Sequence, residues 1–144
     1  METITVGNVI VSAKIENLFD IGKVFEGRIS EDQVRRLEVD DAMVDTEATS
    51  LSLPKRLIEQ LGLTQLRTAR AKTAGGMTTF GIYSPVRLTV QGRDCTVEVS
   101  EHPDDCPPLI GVIPLEILDF VVDPKGQRLI GNPAHGGERM FDMF

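Results

Sequence analysis

Tryptophan is absent from this sequence, tyrosine occurs once, and aromatic residues make up only 5% of the chain. A core built from it must therefore be packed mainly with aliphatic side chains. Cysteine is nearly as scarce, at Cys95 and Cys106. The chain opens Met1-Glu2-Thr3-Ile4-Thr5, with neither a basic region nor an apolar run, so no secretory signal is expected there. Two cysteines in that setting are expected to be free thiols of a reducing, cytoplasmic compartment. His102 and His135 stand at no ligand-like spacing, so they read as solvated side chains, and neither a metal nor a cofactor is expected. No run approaches the roughly 18 consecutive apolar residues of a membrane span. Basic residues are the minority, 15 against 22 acidic, for a net charge of -7. Nucleic acid and anionic membranes need a basic patch and are not expected as partners.

What is present is enough for one compact domain: 144 residues, 41% of them hydrophobic. Val6 to Ser12 is short and rich in β-branched residues, and reads as an opening strand. Asn17 to Ser30 mixes Phe, Gly and charged residues without clear period. Val34 to Val44 reads as a strand entering the interior, its last three residues all apolar. Pro54 before a helically spaced Lys55-to-Leu61 segment, with Gly62 just beyond, predicts a short helix. Leu66 to Lys72 and Phe80 to Val90 alternate, and between them Thr73-Ala74-Gly75-Gly76-Met77-Thr78-Thr79 reads as a hairpin tip. A second hairpin is expected from Arg87–Val90 and Cys95–Val99, then a polar, Pro-rich loop from Glu101 to Pro108. Pro114 to Leu118 suits one helical turn and Phe120 to Val122 a buried strand. Asp123-Pro124-Lys125-Gly126 fits a type I turn, with a return strand from Gln127 to Ile130. The division expected is a domain over residues 1–133 and a loosely ordered tail over 134–144, whose Met140, Phe141, Met143 and Phe144 could dock.

The chemistry concentrates in Ala42-Met43-Val44-Asp45-Thr46-Glu47-Ala48-Thr49-Ser50. A carboxylate placed directly after three apolar residues is costly to bury unless hydrogen bonds surround it, and Thr46 and Thr49 are placed to supply some. On the residues alone the segment reads as a turn after a strand.

The same segment resembles the active-site loop of the retropepsin-like aspartic peptidases and their bacterial relatives, which runs apolar-apolar-Asp-Thr/Ser-Gly-Ala-Thr/Ser. Leu109-Ile110-Gly111, followed by the helical turn at Pro114–Leu118, resembles the family's second signature. Phe120-Val121-Val122-Asp123-Pro124 and Leu129-Ile130 are similar to the closing strands of the bacterial group, and the tip at residues 73–79 falls where the family places its flap. The resemblance implies a mainly β fold, a closed antiparallel barrel with one or two short helices, and places part of Asn17 to Ser30 in a hairpin. It implies a homodimer in which each subunit gives one catalytic aspartate, Asp45, to activate water against a peptide or protein substrate. It also implies that Thr46 bonds across the two-fold axis and that Ala48 and Thr49 shape the loop. Ala74, Gly75, Gly76 and Met77 would form the flap, Met77 as a generic apolar contact, and Gly111 would pack beneath the loop.

Glu47 departs from that pattern, because the family has glycine there. The residue's backbone lies against the catalytic carboxylates, where a Cβ is crowded and a further negative charge is repelled. Three readings stand: Glu47 points away and the enzyme works, wholly or weakly; Glu47 silences the site and leaves a peptide-binding or dimerisation module; or the residue is an introduced change or sequence error. An unrelated small β-barrel, with Asp45 exposed and no two-fold axis near it, is a further alternative. Asp40-Asp41 and Asp104-Asp105 read as solvated loop charges.

Overall fold

The computed structural model of the chain describes residues 9–141. It is mainly β with three short helices. Strand β1 (Ile10–Asn17) leads into helix α1 (Leu18–Phe25), then β2 (Arg36–Val44), β3 (Leu51–Pro54) and helix α2 (Lys55–Gln60). A long hairpin of β4 (Gln65–Thr73) and β5 (Gly76–Val90) follows, then β6 (Arg93–His102) and β7 (Leu109–Ile110). Helix α3 (Val112–Leu118) precedes the closing pair β8 (Phe120–Asp123) and β9 (Arg128–Gly131). Of the expected opening strand, the part before Val9 lies outside the described residues; β1 itself continues five residues past Ser12, to Asn17. Met143 and Phe144 also lie outside them.

Seven strands form one sheet in the order β1-β2-β7-β3-β6-β5-β4, and β1 pairs with β5 as well. The pairings thus return on themselves, and β4 hangs from β5 outside the ring. The sheet is mixed rather than purely antiparallel: Met43–Val44 run parallel to Leu109–Ile110, and Leu51–Pro54 parallel to Val99–His102. Such pairs need long connections, here α2 with the β4–β5 hairpin between β3 and β6, and all of β3 to β6 between β2 and β7. Val90 and Arg93 pair across a two-residue link whose Gln91 and Gly92 have φ of 49° and 80°, the left-handed pair that matches strand twist.

Ile15, Val44, Leu51, Leu53, Leu61, Val86, Leu88, Val99, Ile110 and Leu118 are fully enclosed, an aliphatic core to which Tyr83 and Phe120 add the buried aromatics. Helix α2 begins after Pro54, and Gly62 just beyond its end has φ +65°, the conformation that stops a helix most cheaply in glycine.

Residues 17–30 hold a helix instead of part of a hairpin. Asn17 caps α1, its Oδ1 accepting from Asp20 N–H at 3.1 Å. The helix buries Asp20 as well as Ile21, so its inner face carries a charge among its apolar residues. Asp20 accepts from Arg35 Nε and Nη2, each at 2.9 Å, and the neighbouring Glu16, also buried, accepts from Arg87 and Arg36. Cys95 is buried and Cys106 partly so, both with free thiols. Among the described residues, no helix is long and apolar enough to cross a membrane.

Candidate active site

Between β2 and β3 the chain makes a tight turn whose backbone is held from two sides. Asp45 N–H donates to Ile110 O at 3.0 Å, so the end of β7 fixes the start of the turn. Ala48 N–H donates back to Asp45 O at 3.1 Å, and Glu47 N–H donates to Asp45 Oδ1 at 2.9 Å. On the far side Gly111, Val112 and Ile113 donate in succession to the carbonyls of Ser50, Ala48 and Thr49 at 3.0, 2.9 and 2.9 Å. The first turn of α3 leaves its amides unsatisfied within the helix; here the Asp45 turn accepts two of them.

Gly111 sits in that contact. A Cβ on it would lie 2.6 Å from the carbonyl oxygens of Ala48 and Ser50 and 2.7 Å from Thr49 C. The structure therefore brings Asp45, Ala48 and Thr49 against Leu109, Ile110 and Gly111. The Asp45 side chain is half-buried, and Thr46 and Glu47 are exposed. The hydrogen bond its carboxylate receives comes from the Glu47 backbone; the hydroxyls of Thr46 and Thr49, expected as donors, do not supply one. Glu47 is not among the described non-glycine residues with positive φ, which are Gln91, Asp119 and Gln127, so the turn holds its Cβ without backbone strain.

The residues expected to form a flap stand apart. Thr73 pairs with Gly76, so the link is Ala74-Gly75, and Met77 to Thr79 belong to β5 rather than to the tip. Thr73 Oγ1 donates to Gly76 O at 2.8 Å, and Gly76 has φ +115°, a value glycine adopts freely. Ala74, Gly75, Gly76 and Met77 are all exposed, and no hydrogen bond joins them to the Asp45 turn.

Two concavities flank these segments. One, of about 500 Å³, lies where Thr73, Thr78, Thr79 and Phe80 of the hairpin face Glu101, His102 and Pro103. The other, of about 240 Å³, is lined by Thr46 with Val112, Leu115, Glu116 and residues 120–122 of β8. Glu101, His102, Glu116 and Phe80 carry no sequence mark as site residues. The parallel pairing of β3 with β6 and the turn of α3 bring them there, and neither leaves a local signal.

Both histidines are engaged rather than solvated. His102 has its ring nitrogens 3.0 and 2.8 Å from the carbonyl oxygens of Pro103 and Pro107. His135 Nδ1 lies 2.7 Å from Asp119 Oδ2, and that hydrogen bond holds the Asp119 carboxyl below the usual carboxylate range. Asp119 also accepts Met140 N–H at 3.0 Å, which ties the chain beyond Pro133 to the end of α3. Burial pushes the Cys95 thiol up to about 11, so it is inert as a nucleophile at neutral pH. Tyr83 donates to Glu101 Oε1 at 2.6 Å, and that bond, with burial, raises the phenol to about 12. Among the described residues, no three His, Cys, Asp or Glu side chains converge as metal ligands would.

No known family model matches the chain, and no curated protein does. The solution structure of the simian foamy virus (mac) protease is similar to it with a TM-score of 0.47 and 23% identity, over 76% of this chain and 93% of that one.

Proposed function

We propose that the chain is one half of a homodimeric aspartic endopeptidase with a closed, retropepsin-type barrel over residues 1–133 and a C-terminal tail over 134–144. The observation that carries this reading is the clamp of the Asp45 turn onto Gly111, where a glycine is required by two backbone carbonyls 2.6 Å from its absent Cβ. It gives two segments far apart in sequence, both of the type the family uses, one physical reason to be as they are.

In the dimer each subunit contributes Asp45. Two carboxylates held about 3 Å apart cannot both ionise and share a proton. The ionised member takes a proton from water as it attacks the scissile carbonyl, and the protonated member donates to the carbonyl oxygen. Thr46 holds the two turns together across the axis, Ala48 and Thr49 shape the loop beneath, and Ala74 to Met77 close over a peptide or protein substrate. With Cys95 and Cys106 free, the reducing cytoplasm is the setting proposed, and the chemistry needs no metal or cofactor.

Glu47 favours a second reading, a peptide-binding or dimerisation module without turnover, because a like charge stands beside the dyad in each subunit. The exposure of its side chain supports the working enzyme instead. A peptide-cleavage assay at mildly acidic pH separates the two. The protein as it stands and Glu47→Gly are both expected to cut, and Asp45→Asn is expected to be silent. Cleavage by Glu47→Gly alone favours the silent module, and cleavage by Asp45→Asn removes Asp45 from the mechanism.

A further inference from the structure

β4 is the end strand of the seven-stranded sheet and pairs with β5 alone. An antiparallel pair turns alternate N–H and C=O groups away from the partner, so β4 presents an unpaired row of both along its outer edge. Proteins usually blunt such an edge with shortness, charged side chains, proline, a bulge or a cover. β4 is nine residues long and has no proline, and its one register irregularity falls at the start, between Gln65 and Arg67. Only Ala69 and Ala71 are even half-buried.

What the edge does carry is charge of one sign. From Arg67 onward the alternation of a strand puts Arg67, Ala69, Ala71 and Thr73 on one face and Thr68, Arg70 and Lys72 on the other. The first face turns towards the body of the fold: Arg67 meets Glu98 of β6 at 2.6 Å, and Thr73 lines the cavity beneath the hairpin. Arg70 and Lys72 therefore lie on the outward face, and among the described residues neither has an acidic partner. The chain has 22 acidic residues to draw on, yet its fold leaves these two cations, two positions apart, without one.

We propose that the outer edge of β4 docks an extended acidic segment of another protein, which adds to the sheet as a further strand. Main-chain hydrogen bonds supply affinity, and acidic side chains at alternate positions lie opposite Arg70 and Lys72. A second copy of this chain fits less well, because β4 paired with itself brings together two strands charged with one sign and supplies no acidic side chain for Arg70 and Lys72. This surface lies outside the Asp45 site, and the proposal does not depend on the peptidase reading.

The test uses the full chain at low salt and a blocked peptide of the length of β4 with glutamate at alternate positions. Amide shifts on titration are expected to centre on residues 65–73, and exchange of the outward amides of β4 is expected to slow. Affinity is expected to fall about tenfold in the exposed double variant Arg70→Glu, Lys72→Glu, with its melting temperature unchanged. A similar loss is expected when the peptide nitrogens that would face β4 are methylated. Equal binding of the methylated peptide overturns strand addition, and equal binding of a glutamine-for-glutamate peptide overturns the acidic choice. Shifts centred on the Asp45 turn or the cavity under the hairpin overturn the location. Absence of shifts overturns the proposal, leaving the two cations as guards of a bare edge. Self-association of the free protein that the double variant abolishes would make the second copy the occupant, and also overturns it.

Discussion

Gly111 lies so close beneath Ala48 that a Cβ on it would stand 2.6 Å from the Ala48 carbonyl oxygen. The same Cβ would meet Ser50 O at 2.6 Å and Thr49 C at 2.7 Å, and all three are backbone atoms that no rotamer change can move aside. Gly111→Ala is therefore expected to force the Asp45 turn away from α3 and to cost ~2 kcal/mol, as overpacking typically does. Thermal unfolding should fall by roughly 5–10 °C for a chain of this size. An unchanged melting temperature would mean that the turn gives way freely and that the clamp is not what sets the position of Asp45.

Glu16 is the most enclosed charge in the fold, its side chain 2% exposed against 35% for Arg87 and 31% for Arg36. Burial pulls its carboxyl up, but hydrogen bonds from Arg87 and Arg36 outweigh that and hold it below the ordinary glutamate range. Asp20 is lowered likewise, chiefly by the Arg35 hydrogen bond. A carboxyl lowered on folding stabilises above its unfolded value and ceases to do so as pH falls through its folded one. Stability is thus expected to decline as pH drops below the usual carboxylate range. Arg87→Met should cost about 2 kcal/mol near neutrality, less than for a wholly enclosed pair because the guanidinium is a third exposed. It should also flatten the acid limb, since less of the carboxyl's lowering remains to be lost. Urea midpoints against pH for both proteins decide this; parallel acid limbs would show that Arg87 does not hold the Glu16 carboxyl down.

The elements legible in the sequence are those with local causes. Pro54 and Gly62 bracket α2, and the left-handed φ of Gly62 is the reason glycine stands there. Both hairpins follow from alternation interrupted at glycine. Helix α1 escaped although Asn17 caps it and Leu18, Ile21 and Phe25 recur at helical spacing, because the family resemblance pointed to a hairpin there. The parallel pairs of β2 with β7 and of β3 with β6 escaped because nothing local marks a pairing between distant segments. That is also why the Asp45 turn and Gly111 were each visible as segments, while their contact was expected only from the family resemblance and not from the residues themselves. The two histidines looked idle because Asp119 and the carbonyls of Pro103 and Pro107 become their neighbours only on folding.

Glu47 offers the plainest test of the turn's tolerance. Its backbone N–H donates to Asp45 Oδ1, and that bond does not depend on the side chain. Glu47→Gly removes the charge but also gives the turn conformational freedom in the unfolded chain, worth ~0.5–1 kcal/mol against stability. The expected outcome is a small fall in melting temperature with a rise in peptide-cleavage rate. A rise in rate for Glu47→Gln as well would assign the effect to charge; a rise for Glu47→Gly alone would assign it to the Cβ and the space it takes.

Tyr83 is the single tyrosine in a chain without tryptophan, so its ionisation can be followed by phenolate absorbance with no competing signal. It is 5% exposed and donates to Glu101 Oε1 at 2.6 Å, with Lys55 3.9 Å from the same oxygen. Ionising the phenol would break the hydrogen bond and set two negative charges side by side, so its titration rises from 10.0 to about 12. A phenol raised on folding contributes stability that is fully present below its unfolded value and disappears as pH climbs through the folded one. Alkaline titration of the native protein is therefore expected to show a midpoint about two units above that of the urea-unfolded chain. Tyr83→Phe should cost about 2 kcal/mol at neutral pH, the worth of one hydrogen bond to a charged partner after solvent exchange, and should remove the stability loss assigned to alkali. A native midpoint at the unfolded value would break the link between Tyr83 and Glu101, and with it the packing of β5 against the end of β6 beside the hairpin cavity.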